Sequence, residues 1–343
     1  MDLSRLLRPK NLAVLGGIWA DTVVQQARRL GFDGPIWRVH PKRGDFRGLS
    51  DLPAAPDAVF LGVNADTTLD LVQEARALNA GGVVGFASGF AESGAANRDT
   101  ALRTAAGEMP VLGPNCYGII NFFDGVSLFP DQVRCERPQR GVALIAQSGT
   151  VALNMMYAER SLPVGYLIAA GNATLVTIPM LVEAMVADPR VSAIGLYLEG
   201  IPDLQAFAQA AQTAWAAGKR IVLFKSGRSE AAKRTAQSHT GALGGEERYY
   251  DALFARLGIA RVETLSELLE TLKVAHGFGT LPSNDIAVCA PSGGDVAMAA
   301  DVIDGLPLRL PPLPNELHAR LRAVLGDAIT LANPLDFQTH TWH

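Results

Sequence analysis

No apolar run in this chain approaches the ~18 residues that a membrane-spanning helix requires. Cysteine is scarce: Cys116, Cys135 and Cys289 are the only three, widely spaced, odd in number and in no CxxC arrangement. That excludes a disulfide framework and leaves no cysteine-based zinc site, so no bound metal is expected of these residues. Neither sign of charge dominates, since 30 Lys and Arg face 34 Asp and Glu for a net charge of -4. With the basic residues scattered, neither a nucleic-acid footprint nor a polybasic membrane patch is present. Arg5, Arg8, Pro9 and Lys10 interrupt the N-terminus where a signal peptide would need an unbroken apolar core. These absences predict a protein of the reducing cytoplasm, neither exported nor embedded, without a nucleic-acid partner.

What is present is a chain of 343 residues, 48% hydrophobic and 19% charged, long enough for two or three domains. Short apolar runs alternate with longer amphipathic stretches, the pattern of parallel strands joined by crossover helices and hence of an α/β protein. Strands are predicted at Leu12 to Leu15, Ile36 to Val39, Ala58 to Gly62, Val83 to Ala87 and Val111 to Leu112, with a helix over Thr67 to Asn79. This is a Rossmann-like layout, assigned to residues 1–130. The stretch Asp131 to Arg140 has no periodicity and reads as a linker. A second set of strands follows at Val142 to Ala146, Val164 to Ala169, Ala193 to Leu198, Ile221 to Lys225 and Ala260 to Val262, with helices starting near Gly149, Asp203 and Glu246. It defines a second domain over residues 138–280. A strand at Ile286 to Cys289, the turn Ser292-Gly293-Gly294 and an alanine-rich helix open a third α/β unit, residues 284–343, too short to close a sheet.

Doubly wound sheets collect ligands where strands hand over to helices, because free N–H groups and the helix dipole attract anions. Gln147-Ser148-Gly149-Thr150 is such a junction; it is equally a plain capped helix start. At the first junction Gly16-Gly17 is followed by Ile18-Trp19, which is not a GxGxxG, and no acidic residue ends the second strand, so the NAD fingerprint is missing. That strand runs instead into Val39-His40-Pro41-Lys42-Arg43. Cations there suit a phosphorylated ribose, the 2′-phosphate of NADP or the 3′-phosphate of coenzyme A (CoA), or else form an ordinary solvated turn. Farther along, Ser238-His239-Thr240-Gly241-Ala242-Leu243-Gly244-Gly245 follows the basic strand end Lys225-Ser226-Gly227-Arg228. Small residues there let a loop carrying one imidazole approach a large ligand; a glycine turn with a solvent-facing histidine has the same composition.

Together with Gly113-Pro114-Asn115-Cys116-Tyr117-Gly118-Ile119-Ile120-Asn121 and Leu196-Tyr197-Leu198-Glu199-Gly200, these segments occur in an order and spacing that resembles the NDP-forming acyl-CoA synthetases and the α subunit of succinyl-CoA synthetase. The resemblance implies a Rossmann-like CoA-binding domain, then a flavodoxin-like, succinyl-CoA synthetase-like domain, then the start of a third α/β domain. His239 would be transiently phosphorylated, and Glu199 would orient and charge-balance it, as a carboxylate beside an imidazole does by fixing the tautomer and raising basicity. Ser148, Gly149 and Thr150 would begin the helix whose dipole holds the phosphohistidine. CoA would lie along Gly16, Gly17, Val39, Pro41, Lys42, Gly62, Val63, Asn64, Ser88, Gly89, Phe90 and Asn115, with Lys42 on a CoA phosphate and Asn115 near the thiol. Ile18 and Trp19 depart from the family's small hydroxyl-bearing first loop and put the pyrophosphate contact there in doubt.

The family binds Mg²⁺ and ATP or ADP on an ATP-grasp domain, fused or carried by a β-type subunit. Neither its glycine-rich lid nor its metal carboxylates are found in this sequence. The implied activity is therefore the CoA-binding and phosphohistidine portion of an acid–thiol ligase, forming acyl-CoA from a carboxylic acid, within an oligomer and inactive without that partner. Phe86-Ala87-Ser88-Gly89-Phe90-Ala91-Glu92 and Leu331-Ala332-Asn333-Pro334-Leu335-Asp336-Phe337 are similar to a branch acting on dimethylsulfoniopropionate, which joins the short acids as a substrate expectation. The alternatives are a CoA- or acyl-CoA-sensing regulatory module without turnover and an NADP oxidoreductase.

Overall fold

In this computed structural model the described residues are 1–134, 136–158, 160–229, 232 and 247–341. They form two compact units, Met1–Gly279 and Thr280–His343. Among them, no helix is long and apolar enough to cross a membrane, and no group of three or more His, Cys, Asp or Glu side chains is placed to hold a metal ion.

The first unit contains two sheets. β1 (Leu12–Gly16), β2 (Ile36–Val39), β3 (Ala58–Gly62), β4 (Val83–Gly85) and β5 (Val111–Leu112) make a parallel sheet in the order β2-β1-β3-β4-β5. After the short α1 (Ser4–Leu7), the helices of this half are α2 (Ile18–Leu30), α3 (Ala65–Ala77) and α4 (Ala96–Ala106). Four of the five strands fall within one residue of the ranges read from the sequence. The fourth ends early, at Gly85, so Phe86 and Ala87 are free to face the strand-end crevice.

The second sheet has seven strands in the order β12-β11-β10-β8-β9-β6-β7. It uses β8 (Gly141–Ala146), β9 (Val164–Ala169), β10 (Val191–Leu198), β11 (Arg220–Lys225) and β12 (Ala260–Val262), all parallel. β6 (Gly118–Asn121) and β7 (Val126–Leu128) precede them in the chain as a hairpin, and β6 pairs antiparallel with β9. The chain thus enters its second sheet at Gly118, before the aperiodic stretch 131–140. β8 is buried at every position and β10 at all but one, which is why both read as unbroken apolar runs rather than alternating ones. The flanking helices are α5 (Gly149–Tyr157), α6 (Ile178–Ala187), α7 (Leu204–Ala216), α8 (Glu247–Arg256) and α9 (Leu265–Phe278). Side-chain caps set the starts of α7 and α9: Asp203 accepts from Ala206 N at 2.9 Å, and Thr264 from Glu267 N at 3.1 Å.

A polar knot ties the β6–β7 hairpin to the rest. Arg190 donates to both oxygens of Asp124, at 2.7 and 2.9 Å, and to Asp188 at 2.8 Å, and Tyr166 donates to Asp188 at 3.0 Å. Burial acts to raise the pKa of Asp188, but the hydrogen bonds from Arg190 and Tyr166 outweigh it and hold the carboxyl at about 2, against an ordinary 3.8. Because the folded value is the lower one, the stabilisation is complete above pH 3.8 and is lost as pH falls toward 2. Urea unfolding between pH 5 and 2 should show the wild type losing about 2 kcal/mol that Asp188→Asn, already weaker at pH 5, does not lose.

The second unit holds β13 (Cys289–Ala290) paired parallel with β14 (Leu335–Asp336), flanked by α10 (Gly293–Ile303) and α11 (Asn315–Leu325). The predicted strand Ile286 to Cys289 is corrected to Cys289–Ala290. Its upstream residues have no neighbouring strand: Ile286 N instead bonds Arg309 O at 2.9 Å, and a strand needs a partner for its backbone groups.

Candidate functional site

A cavity of about 690 Å³ opens in the first unit at the C-terminal ends of strands from both sheets, the edge at which α/β folds bind ligands. Among the positions singled out by sequence, it brings together Gly62, Val63, Asn64, Ser88, Asn115, Ser148, Gly149, Thr150 and Glu199. Two helix starts face it. Asn64 caps α3, its side chain accepting from Thr67 N at 2.9 Å, and Ser148 caps α5, accepting from Val151 N at 3.3 Å. Among the described residues neither lysine nor arginine lines the cavity, and there the first-turn N–H groups and helix dipoles are the positive features available to an anion.

Two glycines are dictated by close approach. A Cβ on Gly149 would stand 2.2 Å from Tyr117 Cδ2, so the start of α5 can lie against that ring only as glycine. Gly16 has φ +132°, and a Cβ there would lie 2.5 Å from Gly62 O, where the ends of β1 and β3 converge. Trp19 packs on Phe86 with ring centroids 5.3 Å apart. Phe86 meets Tyr117 edge-on at 5.8 Å. The three rings form one wall of the cavity rather than filling it.

Glu199 follows the last residue of β10. Gln147 fixes its backbone: the amide oxygen accepts from Glu199 N at 2.5 Å and Gly200 N at 3.1 Å, and the amide nitrogen donates to Gly200 O at 3.1 Å. Burial pushes the neighbouring Tyr197 phenol up; a bond with Ser226 opposes this and the Glu199 charge adds to it, which locates that charge beside the β10 and β11 ends. On the far side, Glu92 accepts from Gly89 N at 2.5 Å, Phe90 N at 3.2 Å and the Asn172 amide at 2.5 Å. Burial acts to raise its pKa, but these hydrogen bonds hold the carboxyl below the usual range. Asn115, at φ 55°, donates to Asn172 at 3.3 Å. Cys116 is not a nucleophile here, since burial pushes its thiol up to about 12.

Other positions lie outside this lining. Lys42 and Pro41 are exposed on a turn that His40 caps, its Nδ1 accepting from Lys42 N at 3.1 Å and Arg43 N at 3.2 Å. Gly16, Gly17 and Gly89 are absent from the cavity wall. Val39 and Phe90 are 4% and 0% exposed, their side chains packed in the core of the first sheet. Any ligand contact at these two positions is through backbone. His239 lies outside the described residues. Gln147, Asn172, Tyr117 and Phe86 were given no role from the sequence. Gln147 and Asn172 each follow a predicted strand end, which is the signal that could have found them.

Residues 10–121 match the family model described as a CoA binding domain, and residues 139–275 match the succinyl-CoA ligase like flavodoxin domain. A trans-feruloyl-CoA synthase of an unknown prokaryotic organism is 32% identical over 98% of this chain and 50% of its own length. An ADP-forming acetate–CoA ligase of Methanocaldococcus jannaschii is 27% identical over 98% of this chain and 49% of its own. The alpha subunit of the ADP-forming acetate–CoA ligase II of Pyrococcus furiosus is 27% identical over 97% of this chain and 76% of its own. The chain therefore spans about half the length of the first two. The fold matches, with a TM-score of 0.87 at 24% identity over 98% of this chain and 76% of the other, a dinucleotide-forming acetyl-coenzyme A synthetase of Ca. Korarchaeum cryptofilum crystallised with phosphate and ADP. With these two domain matches in this order and relatives aligned along nearly its whole length, the chain belongs to the NDP-forming acyl-CoA synthetases.

Proposed function

We propose that this chain is the CoA-binding and phosphohistidine-carrying portion of an acid–thiol ligase that converts a carboxylic acid, CoA and ATP into acyl-CoA, ADP and phosphate. The observation that carries this reading is the cavity on which two capped helix starts, Asn64-Ala65 and Ser148-Gly149-Thr150, converge with Glu199. A wall with helix N-terminal N–H groups and a carboxylate suits phosphoryl groups beside an imidazole: the helix holds the anion while the carboxylate orients the base. The space fits the extended pantetheine arm of CoA, which when bound supplies the thiol that accepts the acyl group.

In this reading the first turn of α5 holds the phosphoryl group carried by His239, and Glu199 keeps the imidazole in the required tautomer. Asn115 positions the thiol end of CoA, and exposed Lys42 meets its 3′-phosphate. Splitting the coupling through a phosphohistidine replaces one difficult step by two transfers. The Mg-nucleotide is supplied by an ATP-grasp domain or β-type subunit, as the alpha-subunit relative suggests. The named substrates of the relatives, acetate and trans-ferulate, bracket the acids to be tried.

Calorimetry with CoA and NADP side by side tests the reading. CoA should bind at least about tenfold more tightly, a difference of roughly 1.4 kcal/mol. Equal or tighter binding of NADP would overturn it in favour of an oxidoreductase.

A further inference from the structure

A second cavity, of about 260 Å³, shares a wall with the first: Gln147, Asn172, Gly200 and Pro202 line both. Asn172 stands on the divide, accepting from Asn115 on one side and donating to Glu92 on the other. Beyond it the floor is apolar, made by Ile178, Leu198, Ile201 and Phe207. The proposed reaction joins an acyl group to the CoA thiol, so that group must occupy space contiguous with the CoA cavity. This chamber provides it.

Its size and charge select the acid. A dry cavity of about 150 Å³ suffices for benzene, so 260 Å³ is far larger than an acetyl group fills and accommodates an aromatic ring with a short linker. Unfilled apolar space around a small acyl group forfeits the dispersion contacts that a larger one makes. Among the described residues, the charged ones on the lining are Glu92, Asp99, Asp203 and Arg103, three carboxylates against one guanidinium. Asp99 is fixed in place, accepting from Thr174 Oγ1 at 3.0 Å and Ala91 N at 3.2 Å. A second carboxylate on the acid would be repelled there.

Resting on the ligase reading above, we infer that the 260 Å³ chamber behind Asn172 is the acyl pocket and that it takes an apolar or aromatic monocarboxylic acid larger than acetate, rejecting dicarboxylates.

The test titrates the chain calorimetrically with CoA, acetyl-CoA, butyryl-CoA, succinyl-CoA and phenylpropenoyl-CoA. Phenylpropenoyl-CoA should bind at least roughly tenfold more tightly than acetyl-CoA, and succinyl-CoA roughly tenfold more weakly than butyryl-CoA. Thr177 lines the chamber and heads α6 without making a side-chain cap, so Thr177→Phe narrows the space without removing a hydrogen bond. It should bring the phenylpropenoyl-to-acetyl ratio close to one, while Thr177→Val should retain the ratio. Asp99→Asn should narrow the succinyl-to-butyryl gap, a readout that stands even if Thr177→Phe does not fold. Failure of CoA itself to bind removes the ligase reading and this inference together. Normal CoA binding with no acyl preference, or with a preference unmoved by Thr177→Phe and Asp99→Asn, overturns this inference alone.

Discussion

Replacing His239 by asparagine, in the chain assembled with an ATP-grasp partner, is expected to lower ligase turnover by at least about 10³-fold and to abolish labelling of this chain by the γ-phosphate of ATP. Asparagine keeps the size and one donor of imidazole but has no nucleophilic nitrogen, so binding should survive while phosphoryl transfer does not. The label should be acid-labile and base-stable, as a phosphoramidate is and a phosphoserine is not. Glu199→Gln should behave differently. Its backbone is held by Gln147, so the substitution leaves the strand end in place and removes the charge that, in the proposed reading, supports the imidazolium. A loss of roughly 10- to 100-fold is expected, with its pH–rate profile displaced relative to the wild type. Full turnover in His239→Asn would remove the phosphohistidine from the mechanism, whatever the CoA affinity.

The parts of this molecule that the sequence discloses are those governed by local physics. Unbroken apolar runs such as Gly141–Ala146 can satisfy themselves only as buried parallel strands, and Asp203 before a periodic stretch caps a helix wherever it sits. The strand-to-helix junction at Ser148 is legible for the same reason, and it reaches the cavity. What the sequence hides depends on distant partners. The hairpin Gly118–Leu128 follows directly on the first sheet's last strand, yet joins the second sheet by pairing with Val164–Ala169, and no periodicity encodes that choice. Val39 ends β2 and Phe90 lies in the loop beyond β4, and both side chains are buried in the core. Asn172 acquires its place only because cross-chain contacts deliver Asn115 and Glu92 to it, 57 and 80 residues away. Trp19 reads in the sequence as an isolated bulky residue; Phe86 gives it a surface to lie on.

The largest loss of stability is expected from Glu247→Leu. Lys225, at the end of β11 with only 3% of its side chain exposed, donates to Glu247 at 3.2 Å and to Ser226 O at 2.9 Å. Its ammonium lies 4.5 Å from the Tyr250 ring centroid. Glu247 also accepts from Arg261 and lies 4.0 Å from Arg228. Among the described residues, removing the carboxylate leaves a buried ammonium with one carbonyl and a ring, and leaves Arg261 with Asp251 and the Phe254 ring. Breaking a buried pair from one side costs about 3–5 kcal/mol, which for a unit of this size lowers the melting temperature by about 10 °C. Lys225→Met should cost less, because Glu247 retains two guanidiniums. The double variant should cost less than the sum, since the second change removes the charge stranded by the first. The pair also brackets residues 226–246, holding the strand end before His239 to the first residue of the helix after it. If the clamp serves only stability, turnover at a temperature well below melting should match the wild type in Lys225→Met. If it also fixes the reach of His239, turnover should fall there while CoA affinity does not, and that separation of rate from binding is the outcome expected.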